Sequence, residues 1–154
     1  MKLEDGGVGT DTPEGKTAMA DKFSGGCACR AIRYETEADP IVMVNCHCRD
    51  CQRAVGTAYG AYVFFPRAEV RLQAEPRYYE TKGDAGRIVE RGFCANCGSP
   101  VAVKLERMPD AFGVLAASLD DPSRYKPVME FFTGSAWPWD AMLADTQKLP
   151  KGMP

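Results

Sequence analysis

The sequence predicts a single, mainly β domain with short helices, built around zinc, and three observations predict it. From Phe23 onward the chain is a series of short apolar stretches cut by Gly, Pro and Asp turns. Helical periodicity is almost absent. The seven cysteines gather in three tight groups, Cys27 and Cys29, Cys46, Cys48 and Cys51, and Cys94 and Cys97. A chain of 154 residues, 45% hydrophobic and 26% charged, is long enough to bury a core as one domain without disulfides. The net charge of −2 and pI near 5.5 argue against a nucleic-acid partner. No apolar run reaches the ~20 residues of a membrane helix. Residues 1–22 hold no apolar signal segment, so a cytoplasmic, reducing setting is expected, in which clustered thiols signal metal rather than disulfides.

The elements follow in order. Residues 1–22, without aromatics and rich in Gly, Thr, Asp and Lys, read as a flexible tail. Residues 31–37 alternate apolar and polar side chains, the period of a half-buried strand. Residues 59–65 form another strand, which stops at Pro66. Its aromatics Tyr59, Tyr62, Phe64 and Phe65 read as core on one face or, alternatively, as the wall of a site. Residues 77–81 and 87–93, joined through Lys82-Gly83-Asp84, form a hairpin. Stretches 100–105, 111–116 and 128–133 bring the count to about seven strands. Residues 50–55 make a short helix with Asp50 as its cap and Gly56 at its end. Residues 118–122 suggest a 3₁₀ turn, Trp137-Pro-Trp139 a hydrophobic closure, and 140–148 a brief helix before Pro150. The folded domain is placed at 23–146, with 147–154 as a C-terminal tail.

Cys27 and Cys29 fall on one side of an extended segment. Cys94-Ala-Asn-Cys97 is a tight turn that Gly98 leaves with positive φ. Two such clips supply four thiolates, the closed tetrahedral set of a structural zinc. Cys46, Cys48 and Cys51 supply three thiolates, which leaves a fourth position open, as in catalytic zinc. The alternative is a second structural zinc completed by a distant Asp, Glu or the terminus. His47, the only histidine, lies between Cys46 and Cys48 and so points to the opposite face. It reads as a donor behind the metal ligands or a substrate contact, or else as a packed or exposed histidine, and not as a ligand. Arg49 and Arg53 flank the cluster and could grip an anionic substrate's carboxylates. No Walker loop, dinucleotide fingerprint or Ser-His-Asp set is present.

The order Gly26-Cys-Ala-Cys29, Cys46-His-Cys-Arg-Asp-Cys51-Gln-Arg53 and Phe93-Cys-Ala-Asn-Cys-Gly-Ser99 resembles the glutathione-dependent formaldehyde-activating enzyme family, which includes the centromere-protein-V-like proteins. The resemblance runs over about residues 23–139. It implies a β-tent fold and two zinc ions per chain, structural at Cys27, Cys29, Cys94 and Cys97 and catalytic at Cys46, Cys48 and Cys51. It further implies a carbon–sulfur lyase that joins glutathione to formaldehyde or a related small carbonyl. A non-catalytic zinc module or a glutathione carrier is the alternative. Two residues depart from the family pattern: Arg30 stands where glycine is frequent, and Glu130 where histidine is frequent.

Overall fold

The computed structural model describes residues 22–153; the tail expected over 1–22 lies outside them except for Lys22. Phe23–Gly26 (β1) and Arg33–Thr36 (β2) alternate buried and half-buried residues and pair antiparallel. The two-residue strand Arg71–Leu72 (β5) pairs with β2 and completes a three-stranded sheet. The larger sheet is built from Val42–Cys46 (β3), Gly60–Pro66 (β4), Arg77–Lys82 (β6), Ile88–Phe93 (β7), Pro100–Leu105 (β8), Ala111–Leu115 (β9), Met129–Phe131 (β10) and Gln147–Leu149 (β11). Its spatial order is β11-β10-β3-β4-β9-β8-β7-β6. β10 runs parallel to both β3 and β11, and the remaining pairs are antiparallel. The expected hairpin is formed by β6 and β7.

The two faces of β4 explain how the layers assemble. Val63 and Phe65, both fully buried, face the small sheet, where Phe65 meets Phe23 at a ring separation of 5.1 Å. Ile32 and Tyr34 join them, so the two sheets lean together over a shared core, the tent-like arrangement. Tyr62 and Phe64 point the other way and pack with Val44, Val103 and Leu115 in a second cluster. This opposite face is left uncovered by the small sheet, and it carries the cleft described below. Among the described residues no helix is long and apolar enough to cross a membrane.

Three local expectations are corrected. The helix at Arg49–Val55 (α1) exists and ends at Gly56 with φ 69°, but its N-cap is Cys48, whose sulfur accepts from the Cys51 N–H at 3.3 Å. Asp50 instead lies in the first turn, where its charge suits the helix dipole. No helix forms over 140–148. There the Lys148 ammonium donates to the Leu143, Ala144 and Thr146 carbonyls, which take the cation where a helix would give them an N–H, and 147–149 pair as β11 inside the expected C-terminal tail. The Trp137-Pro-Trp139 segment is not a buried closure either: Trp137 is 41% and Trp139 71% exposed.

Candidate metal centres and the cleft

The first cluster is assembled by two clips on different sheets. Cys27 and Cys29 follow β1, and Cys94 and Cys97 follow β7. All four sulfurs lie within 4.8 Å of one another. Sulfur separations of 3.6 Å (Cys27–Cys29) and 3.7 Å (Cys29–Cys94) match the ~3.8 Å edge of a tetrahedron with Zn–S bonds of ~2.3 Å. The surroundings draw Cys27 and Cys97 down towards thiolate and push Cys94 up. Although burial opposes its charge, the Cys27 thiol is drawn down by the Ile32 N–H, 3.2 Å from its sulfur. Cys97 is drawn down to about 5, first by the Ser99 hydroxyl, then by the Ser99 and Cys29 backbone. Gly98 leaves its clip at φ 75°, as expected. Arg30 leaves the other at φ 65°, a conformation that favours glycine and gives the family's glycine there a physical reason.

The second cluster comes from one continuous stretch, the end of β3 and the start of α1. The sulfurs of Cys46, Cys48 and Cys51 also lie within 4.8 Å of one another. Hydrogen bonds from Cys46 and Cys48, with help from Tyr62 and the Arg91 guanidinium, hold Cys51 far below the thiol range, at about 2. Cys46 is pushed up by its hydrogen bonding with Cys48 and Cys51 and by burial. Arg91, on β7, reaches the Cys51 sulfur at 3.9 Å and sets its positive charge against the cluster. No fourth thiol, histidine or carboxylate joins this set among the described residues.

The three cysteines line a cleft of about 710 Å³. Its floor is apolar, with Val44, Phe64, Val103, Leu105, Met108 and Phe131. Six cations, Arg49, Lys82, Arg87, Arg91, Arg107 and Lys151, also line it, against the two acids Asp50 and Asp84. Tyr62 and Phe64 therefore serve as cleft wall as well as core. Of the two arginines singled out from sequence, Arg49 lines the cleft, donates to Gln52 Oε1 and lies 5.3 Å from the Trp137 ring. Arg53 is exposed and outside the lining, since a two-residue step from Cys51 along a helix turns to a different face.

His47 lies fully buried and outside the cleft lining, with Nε2 2.6 Å from Glu130 Oε2 and Nδ1 2.9 Å from Asp140 Oδ2, the latter without hydrogen-bond alignment. Glu130, also fully buried, accepts from Asn45 Nδ2 and Thr146 Oγ1, both at 3.2 Å. The departure at position 130 thus supplies a partner for the lone histidine and ties β10 to the strand that carries Cys46. Sequence reasoning missed Gln52, Arg91 and Asp140. Gln52 donates to the His47 carbonyl (2.7 Å) and the Ser135 carbonyl (3.1 Å) and accepts from Trp137 Nε1 (2.9 Å), which fastens the 133–137 turn to α1. Its position directly after Cys51, inside the motif, was the available signal; Arg91 and Asp140 carried none.

A family model described as glutathione-dependent formaldehyde-activating enzyme matches residues 22–135. A solved Rhodobacter sphaeroides protein, 22% identical, has a TM-score of 0.51 over 63% of this chain and 87% of its own, a likeness of fold. The matched span contains all three cysteine groups, and the chain belongs to the glutathione-dependent formaldehyde-activating enzyme family.

Proposed function

We propose that the protein is a zinc-dependent carbon–sulfur lyase of the S-(hydroxymethyl)glutathione synthase type, which adds a small-molecule thiol such as glutathione to an aldehyde carbonyl and reverses the addition. The observation that carries this reading is the three-sulfur set open to a cation-lined cleft, beside a separate four-sulfur set that is complete in itself. Cys27, Cys29, Cys94 and Cys97 would hold the structural ion. A zinc ion held by Cys46, Cys48 and Cys51 would supply a fourth position at which a substrate thiol is stabilised as thiolate.

The chain's own residues bind and orient. Three thiolates and a divalent cation sum to −1, and Arg91 beside Cys51 offsets that charge, so that a further anion is tolerated there. The arginines along the cleft can take the carboxylates of a glutathione-like tripeptide in fork geometry, and the lysines can take them as point charges. The substrate thiol's proton leaves to water in the open cleft. The sulfur then bonds to the carbonyl carbon, the π pair moves to oxygen, and the oxygen takes a proton, giving an S-(hydroxyalkyl) thiol with no redox change. His47 is a positioning residue: it holds the strand that carries Cys46 from its opposite side.

Cobalt replacement tests this reading. Millimolar glutathione should raise the thiolate-to-cobalt charge-transfer absorption of one of the two ions and leave the other unchanged. An unchanged spectrum would show that this chain does not take glutathione as a ligand.

A further inference from the structure

Formaldehyde is a single polar carbon and has no use for an apolar floor. The cleft nevertheless has one, and it starts at the sulfurs. Val42, Val44 and Cys46 occupy alternate positions of β3 and so share one face. Phe64 and Tyr62 stand opposite Val42 and Val44 on β4, and Val103 and Leu105 continue the surface on β8. Along β3 the apolar strip from Cys46 to Val42 runs four residues, about 13 Å at ~3.3 Å per residue. The cations are provided chiefly by other segments: Arg91 on β7, Lys82 and Arg87 at the β6–β7 turn, Arg107 after β8 and Lys151 near the C-terminus. The cleft therefore offers three chemistries side by side, a thiolate-binding end, a cationic surround and an apolar strip. Glutathione can satisfy the first two. Its hydrophilic tripeptide leaves the strip unmatched.

We infer that the aldehyde partner carries an apolar substituent of about six carbons or an aromatic ring, so that the bound species is an S-(1-hydroxyalkyl) thiol with its tripeptide carboxylates on the cations and its alkyl group along Val44, Phe64, Val103 and Leu105. This rests on the thiol-addition reading above and names the substrate class for it. The step is the one already written: sulfur adds to the carbonyl carbon, the π pair goes to oxygen, and one proton moves from sulfur to oxygen overall. The larger substituent changes only what the cleft buries.

S-alkyl glutathiones are stable thioethers that stand in for the adduct. Titrating the metal-loaded full chain calorimetrically with S-methyl- and S-hexylglutathione should show tightening of about fourfold per buried methylene, and at least ~50-fold over the five added carbons. Leu105→Asp should remove most of that gain, read as the ratio of the two ligands' affinities on the same variant. Met108→Asp serves the same purpose should the first variant fail to fold. A gain under ~50-fold, or a gain that both folded variants retain, overturns the inference. The two readings fail separately. If glutathione perturbs the cobalt spectrum while alkyl length has no effect, thiol binding stands and the apolar substituent is rejected. If length matters while cobalt ignores glutathione, the apolar preference stands and metal-centred thiol addition is rejected.

Discussion

Cys29 and Cys94 are 65 residues apart and belong to different sheets, whereas Cys46, Cys48 and Cys51 lie within one strand end and the helix turn after it. The sulfur chemistry is the same, but the role that topology allows is different. An ion shared by the first set cross-links the small sheet to the large one and closes the long chain between them, so its binding energy becomes folding energy. An ion on the second set joins residues that β3 and α1 already hold together, so little of the fold depends on it. The first set is complete with four sulfurs. The second has three and opens on a cleft. On the proposed function, the cluster that bridges distant segments would serve stability, and the one confined to a single segment at the cleft would exchange its fourth ligand.

The largest expected effect breaks this comparison directly. Cys94→Ser or Cys97→Ser should forfeit on the order of 10 kcal/mol of metal-linked folding energy and leave an unfolded or aggregated chain by circular dichroism. Cys48→Ser should stay folded and carry one metal equivalent fewer by elemental analysis. Equal unfolding of both variants would remove the distinction between the clusters.

The next effect separates holding a ligand from holding its strand. His47→Ala removes one buried hydrogen-bond partner of Glu130, which keeps Asn45 and Thr146, and costs about 3 kcal/mol. Both metal equivalents should nonetheless remain, because the ring lies on the opposite side of β3 from the sulfurs. A shifted denaturation midpoint with two metals bound is the expected pair of results; loss of one metal would make His47 a ligand. A smaller effect belongs to the cleft alone. Arg91→Ala should weaken glutathione binding to the metal-loaded protein by about 1.5–3 kcal/mol in calorimetry, the worth of a hydrogen bond to a charged group. The Cys27 cluster, on the other side of the domain's packing, should keep its metal.

Much of this was legible in the sequence because it is local. Ligand spacing, the alternation of residues 31–37, the β6–β7 turn and the αL exit at Gly98 each depend on a few neighbouring residues. The opposed direction of His47 follows from the period of a strand and nothing else. What the sequence hid is long-range. Short strands such as β5 and β11 exist only because a neighbouring edge accepts them, and two or three residues carry no pattern. Residues 140–148 have helix-compatible composition, and the Lys148 ammonium overrides it by taking the carbonyls. Arg91 lies 40 residues from Cys51 in the chain, so only the sheet order brings its charge to the sulfurs. Arg53, adjacent to the motif, was the natural choice from sequence, and helix geometry turns it away.

The smallest prediction compares the two clips of the four-sulfur set. One leaves its turn through Gly98 at φ 75°, the other through Arg30 at φ 65°. A side chain in this left-handed region costs roughly 1–2 kcal/mol relative to glycine. Replacing Arg30 by glycine removes that cost, while the freer unfolded chain takes back about 0.5–1 kcal/mol. Arg30 also contributes a weak attraction to Asp120, but the carboxylate keeps its main partners, the Arg33 guanidinium and the Ser24 hydroxyl. Arg30→Gly should therefore stabilise the metal-loaded protein by roughly 0.5–1 kcal/mol, read as a higher guanidinium midpoint with an unchanged slope. Gly98→Ala, the mirror experiment, should destabilise it by a comparable amount. If Arg30→Gly proves destabilising, Arg30 makes a contribution beyond its backbone, and the two clips are not equivalent.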